Sequence, residues 1–161
     1  ARGGIYKAGL ITIDFHVRHG QFTGATPDGR LAYSAISKNV GPSVGMDRKG
    51  ITACLNSITC IDFTDFSHAA MVDAILHPGT VGGDDGLNVM LGILRAFMRE
   101  GGHSIQFNVF DPQTLRDAQK HPEKYQTLQV RVCGWNVFFV NLSKWEQDIF
   151  IAQAEHVALT V

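Results

Sequence analysis

The stretch DDGLNVMLGILRAFMREGGHSIQFNVFDP, Asp84 to Pro112, constrains the fold more than any other part of the chain. Its first half places apolar residues at helical intervals. Leu87, Leu91, Leu94 and Met98 form one stripe, and Asp84 or Asp85 caps the end that favours negative charge. Gly101-Gly102 then stops the helix, because glycine adopts the left-handed conformation in which helices commonly end. HSIQFNVF switches to strict alternation, which predicts a strand with Ile105, Phe107 and Val109 directed inward. Asp111-Pro112 is a cap followed by proline at the first helical position, so a second helix opens over QTLRDAQK. Helix, strand and helix at this spacing predict a mixed α/β chain.

The flanking segments extend this pattern. LITIDFHV, Leu10 to Val17, predicts a strand with Ile11, Ile13, Phe15 and Val17 on one face. A long turn region rich in Gly and Pro follows, and Asp47 is positioned to cap a helix from Gly50 to Ser57 with Ile51, Leu55 and Ile58 on one side. AAMVDAILHPG reads as a short buried strand ended by Pro78-Gly79. After the turn HPEKY, LQVRV and NVFFVNL predict two further strands. Ser143 and Glu146 form a capping box for a final helix, KWEQDIFIAQAEHVA. Between those two strands lies RVCGWNV, whose glycine, Gly134, has bulky neighbours and no Asn-Gly, Asp-Gly or Pro turn signal.

Composition excludes several function classes. With 161 residues and 45% hydrophobic content, the chain is long enough for one core. A formal net charge of -1 gives no electrostatic case for nucleic acid or an anionic membrane. No apolar run is long enough to span a bilayer. Cys54, Cys60 and Cys133 form no C-x-x-C pair, which fits free thiols in a reducing cytoplasm. GATPDGR has phosphate-loop glycine spacing but Arg30 and Leu31 where lysine and Ser or Thr are needed, so it is a structural turn. His16 and His19 belong to no metal-ligand pattern, and no metal is expected. Ser34, Ser37 and Ser43 lie in no nucleophile elbow. Cys54 and Cys60 on an apolar helix read as inert, buried thiols. The start, ARGGIYKAG, lacks a methionine and reads as part of a longer polypeptide.

One family accounts for the glycine. From Gly101 onward, the Gly-Gly before a strand ending in Asn-Val, the DAQKHPEKY helix and turn, the R-V-x-G-aromatic loop and the L-S-K-x-E-Q-D helix together resemble the C-terminal segment of glycyl radical enzymes, the pyruvate formate-lyase-like family. Upstream, TPDGR and GPSVGMDRKGITACLNSIT are similar to the same family, so the resemblance covers essentially the whole chain. It implies the C-terminal part of a ten-stranded α/β barrel with the glycine radical loop inserted towards its centre. Residues 1–100 would be a partial barrel domain and residues 101–161 the glycine radical domain.

The same resemblance implies that Gly134 loses one α hydrogen and stores the resulting radical, flanked by Arg131, Val132, Cys133 and Trp135. A radical at Cα favours a flat geometry delocalised onto both neighbouring peptide units, which a Cβ would obstruct; backbone can also approach glycine closely. Trp135, Phe138 and Phe139 are candidate covers against dioxygen, or ordinary core. Arg131 either helps a partner recognise the loop or is a strand-edge charge, and Cys133 either tunes the loop or exchanges hydrogen with it. No cofactor is bound. A separate S-adenosylmethionine iron–sulfur activating enzyme installs the radical, which then passes to a cysteine outside this chain.

The implied protein is an oxygen-sensitive enzyme of anaerobic metabolism, cytoplasmic, homodimeric when complete, acting on a small organic molecule. Its reaction is of dehydratase or lyase type, or of formate C-acetyltransferase type. Cys-Gly-Trp in place of the acyltransferase's Ser-Gly-Tyr favours the lyase. The alternative is a free-standing glycyl radical subunit that docks onto and restores a partner enzyme. In either case, exposed apolar surface should make residues 1–161 alone poorly soluble or molten.

Overall fold

A computed structural model describes residues 3–12, 15–132 and 134–159. The expectations for Ile13 and Cys133 lie outside these residues. Three parallel strands form the central sheet in the order β1 (Gly9–Leu10), β2 (Ala69–Leu76), β3 (Ser104–Val109). The chain between β1 and β2 contains helices α1 (Phe15–Gly20) and α2 (Gly50–Ile58), and that between β2 and β3 contains α3 (Pro78–Val81) and α4 (Gly83–Arg99). Helix α5 (Pro112–Lys120) precedes an antiparallel hairpin of β4 (Gln129–Val132) and β5 (Trp135–Phe138), and α6 (Lys144–Leu159) follows it.

Local signals fix several of these elements. At the end of α4, Gly101 takes φ +86°, the Gly101 N–H donates to Met98 O and the Gly102 N–H to Phe97 O at 2.8 Å. This is the Schellman stop that the paired glycines predict. Asp111 accepts from the N–H groups of Gln113 and Thr114 at 3.3 and 3.2 Å, with Pro112 opening α5. In the capping box of α6, the Ser143 N–H donates to Glu146 Oε2 at 2.8 Å and the Glu146 N–H to Ser143 Oγ at 3.3 Å.

Both faces of the sheet are covered. Ala70 and Val72 of β2 pack on one side with Leu55 and Ile58 of α2 and Phe97 of α4. On the other, Ile75 joins Leu115 and Ala118 of α5, Val130 and Val132 of the hairpin, Phe139, and Phe150, Ile151 and Ala154 of α6. Also facing this side is a buried ion pair, Lys38 Nζ to Asp73 Oδ2 at 2.9 Å, and Asn39 donates to the same carboxylate oxygen at 3.0 Å. Lys38 lies 5.0 Å from the centre of the Phe150 ring, so one cation ties the loop to both the sheet and α6.

Four expectations are corrected. The strand predicted from Leu10 to Val17 is only Gly9–Leu10, because Asn39 takes over the backbone at Thr12: its Oδ1 accepts the Thr12 N–H at 2.9 Å. The chain then turns into α1, where Phe15 stacks on His19 with ring centroids 5.5 Å apart and Phe15 is exposed. Asp47 does not cap α2; its carbonyl accepts from Gly50, while its carboxylate lies 3.4 Å from His156 Nε2. The cap position of α4 belongs to Gly82, with Asp84 and Asp85 in its first turn, and its buried face is Gly86 and Phe97. Leu87, Leu91 and Met98 are exposed. Finally, β3 is covered on both faces rather than one: Ile105 packs on the core as predicted, but Asn108 on the opposite face is buried and Val109 is exposed.

Candidate functional site

The hairpin register pairs Val132 with Trp135, and Gly134 lies at the tip between them. Gly134 has φ +88°, a left-handed conformation that L side chains rarely adopt, and a Cβ built there would meet no atom within 4 Å. The demand for glycine is therefore conformational. Among the described residues, no backbone beyond its chain neighbours closes on this position, so the close approach that glycine permits is not made here.

Val130 and Val132 anchor the base of the hairpin in the core, whereas Gly134 at the tip is exposed. Of the expected covers, Trp135 is 72% exposed and Phe138 is 41% exposed. Phe139 is fully buried beneath the hairpin, between α5 and α6, and belongs to the core. Among the described residues the tip is thus presented, and the shield expected from its aromatic neighbours is not formed by them.

Two carboxamides of β3 hold the hairpin. Asn108 grips the backbone of Arg131: its Nδ2 donates to Arg131 O at 3.0 Å and its Oδ1 accepts the Arg131 N–H at 2.9 Å. Two residues away on the same strand face, Gln106 Oε1 accepts the Gly134 N–H at 2.7 Å and Arg131 Nε at 3.2 Å. Arg131 Nη1 reaches Asn136 Oδ1 at 3.5 Å, across the strand pair. Sequence reasoning missed both Gln106 and Asn108 by assigning Ile105, Phe107 and Val109 to the core side. The available signal was two carboxamides spaced two apart in a strand, a pattern suited to reading a neighbouring backbone.

The remaining candidates lie elsewhere. Cys54 is half-buried, and burial, assisted by the charge of Asp47, pushes its thiol up to about 11. Cys60 is exposed, in contrast to the buried thiol expected, with Sγ 3.4 Å from Asn56 O. Arg30 is buried and donates to Ser34 O at 2.7 Å and to Leu31 O and Gly24 O, closing its own turn. A cleft of about 450 Å³ bordered by Lys38, Cys54, Asp73 and His77 has no lining residue from the hairpin. Among the described residues, no group of three or more His, Cys, Asp and Glu side chains is placed to hold a metal, and no helix is long and apolar enough to cross a membrane.

Known proteins match most of this chain. The glycine radical family model matches residues 36–140. The trans-4-hydroxy-L-proline dehydratase of Clostridioides difficile is 37% identical over 95% of this chain and 19% of that enzyme. The 4-hydroxyphenylacetate decarboxylase glycyl radical subunit of Clostridium scatologenes is 42% identical over 91% of this chain and 16% of that protein. The B12-independent glycerol dehydratase of Clostridium butyricum, solved with glycerol bound, superposes with a TM-score of 0.90 at 39% identity, over 94% of this chain and 19% of that one.

The chain belongs to the glycyl radical enzyme family and matches a C-terminal portion of its α/β barrel enzymes. It spans about a fifth of the length of the curated relatives it matches. Those relatives are dehydratases, decarboxylases and lyases.

Proposed function

We infer that Gly134 is the residue that carries the radical, and that the protein is a glycyl radical enzyme of lyase type. The observation that carries this reading is the presentation of Gly134: the exposed tip of the hairpin, at φ +88°, tethered through its N–H by Gln106. Activation removes one hydrogen atom from Gly134 Cα and leaves one unpaired electron on it. In turnover, a cysteine thiol outside this chain returns a hydrogen atom to Gly134, and the electron then resides on that sulfur, which attacks the substrate. Residues 1–100 serve as barrel wall and 101–161 as the radical-bearing part.

The activating partner is a separate S-adenosylmethionine iron–sulfur enzyme. The exposed tip at Gly134, with Arg131 and Trp135 beside it and Val132 and Cys133 next to it in sequence, is the surface it engages. Covering of the tip by the rest of the enzyme protects it from dioxygen, and exposed Trp135 and Phe138 suit that contact. The substrate is a small organic molecule, cleaved by elimination or decarboxylation as in the named relatives. Formate C-acetyltransferase chemistry has weaker support, since the relatives described above are dehydratases, decarboxylases and lyases. The complete enzyme is a cytoplasmic homodimer of anaerobic metabolism.

Anaerobic activation of the complete protein followed by electron paramagnetic resonance tests the reading. A doublet from the single remaining α hydrogen is expected, and exposure to air should cleave the chain at residue 134. A Gly134→Ala protein should give no such signal. An unchanged doublet in that variant would place the radical elsewhere.

A further inference from the structure

We propose that Gln106 is a positioning residue for the radical site, fixing the peptide plane of Gly134 through its side-chain carbonyl. The inference rests on Gly134 as the radical-bearing residue.

The geometry assigns the orientation of the amide without ambiguity. Oε1 faces two donors, the Gly134 N–H at 2.7 Å and Arg131 Nε at 3.2 Å. Turning the amide over would set its NH2 against both, and two donors repel. Gln106 therefore stands with its carbonyl toward the hairpin tip. Its Nε2 is buried with no hydrogen-bond partner among the described residues. An unpaired buried donor is costly, and an apolar side chain of this size would avoid that cost. Packing alone does not explain a glutamine here; the contact it makes with Gly134 does.

The consequence for the chemistry follows from conformational freedom. Gly134 has no side chain to lock it, and no atom lies near its would-be Cβ. The N–H tether fixes the peptide unit preceding Gly134 and thereby limits the directions its two α hydrogens can take. It also polarises the amide nitrogen onto which the unpaired electron delocalises. Asn108, which grips Arg131 two residues along β3, keeps the strand in register so that Gln106 meets the tip. Arg131 completes the arrangement by occupying the second lone pair of Oε1.

The test uses the complete protein labelled with 15N-glycine, activated anaerobically. Gln106→Met, which keeps the length and removes the acceptor, should slow radical formation about tenfold, the loss of one to one and a half hydrogen bonds' worth of orientation. The 15N coupling of the radical that does form should change. Gln106→Glu, which keeps the acceptor, should restore the rate to within about twofold and shift the coupling in its own way. A wild-type doublet with the Met variant unchanged in rate and coupling overturns the proposal. So does a Glu variant as impaired as the Met variant. If the Met variant does not fold, a Glu variant with wild-type coupling is the overturning result. A wild-type protein without any doublet defeats the radical reading of Gly134 itself, and this inference falls with it.

Discussion

Helices α4 and α5 are both amphipathic, yet they end up differently in the fold. Leu115 and Ala118 of α5 are fully buried against α6 and Phe139, and the Arg116–Glu155 ion pair closes the rim. Helix α4 buries Phe97 against the sheet, but Leu87, Leu91 and Met98 remain exposed on another side. An apolar face that finds its partner within the chain stabilises it locally. One that does not is suited to a surface supplied by something else. The C-terminal layer around Phe139 is thus self-sufficient, and α4 presents a face for contact.

The largest test of this contrast is Phe139→Ala. The ring is fully buried in the self-sufficient layer, so denaturant unfolding should show a loss of about 3–5 kcal/mol. Leu87→Asp should sharpen the comparison. In residues 1–161 alone, where Leu87 is exposed, it should improve solubility without disturbing the packing. In the complete protein the same change should lower stability by about 2 kcal/mol or more, since it places a charge in a packed contact. Equal, negligible effects in both settings would mean that the α4 face stays in water.

The smallest effect concerns the two thiols near this core. Cys54 is protonated up to about 11 when folded, above its usual 9.0, so the unfolded chain ionises first. Its contribution to stability is present below pH 9 and should fade as pH rises towards 11. Alkylation at pH 8 should modify the exposed Cys60 rapidly and Cys54 only after unfolding.

The parts of this fold that were legible in the sequence are those settled within a few residues. The paired glycines after α4, the Asp111 cap and the Ser143–Glu146 box each satisfy backbone groups locally, and each forms as read. What escaped was decided by distant partners. Phe15 and Val17 alternate like strand residues, but Asn39, far along the chain, captures Thr12 and frees the segment to coil into α1. In β3, alternation established the strand but not that both of its faces are covered. Ile105 packs on the α4 side, while Gln106 and Asn108 face the hairpin because its backbone donors and carbonyl await them there. Gly134 was singled out by its motif; the exposure of its tip, and the side chain that tethers it, are tertiary features that depend on β3.

The hairpin register also limits how this site can vary over evolutionary time. With Val132 opposite Trp135, an added or deleted residue would rotate one strand by half a period, taking Val130 and Val132 out of the core and forcing Arg131 into it. The tip is therefore altered at least cost by exchanging residues, while a change of length has to be absorbed in the loop to keep Val130 and Val132 in the core. The same register leaves residue exchange at the tip, and not a shift of the strands, as the change this hairpin accepts most readily.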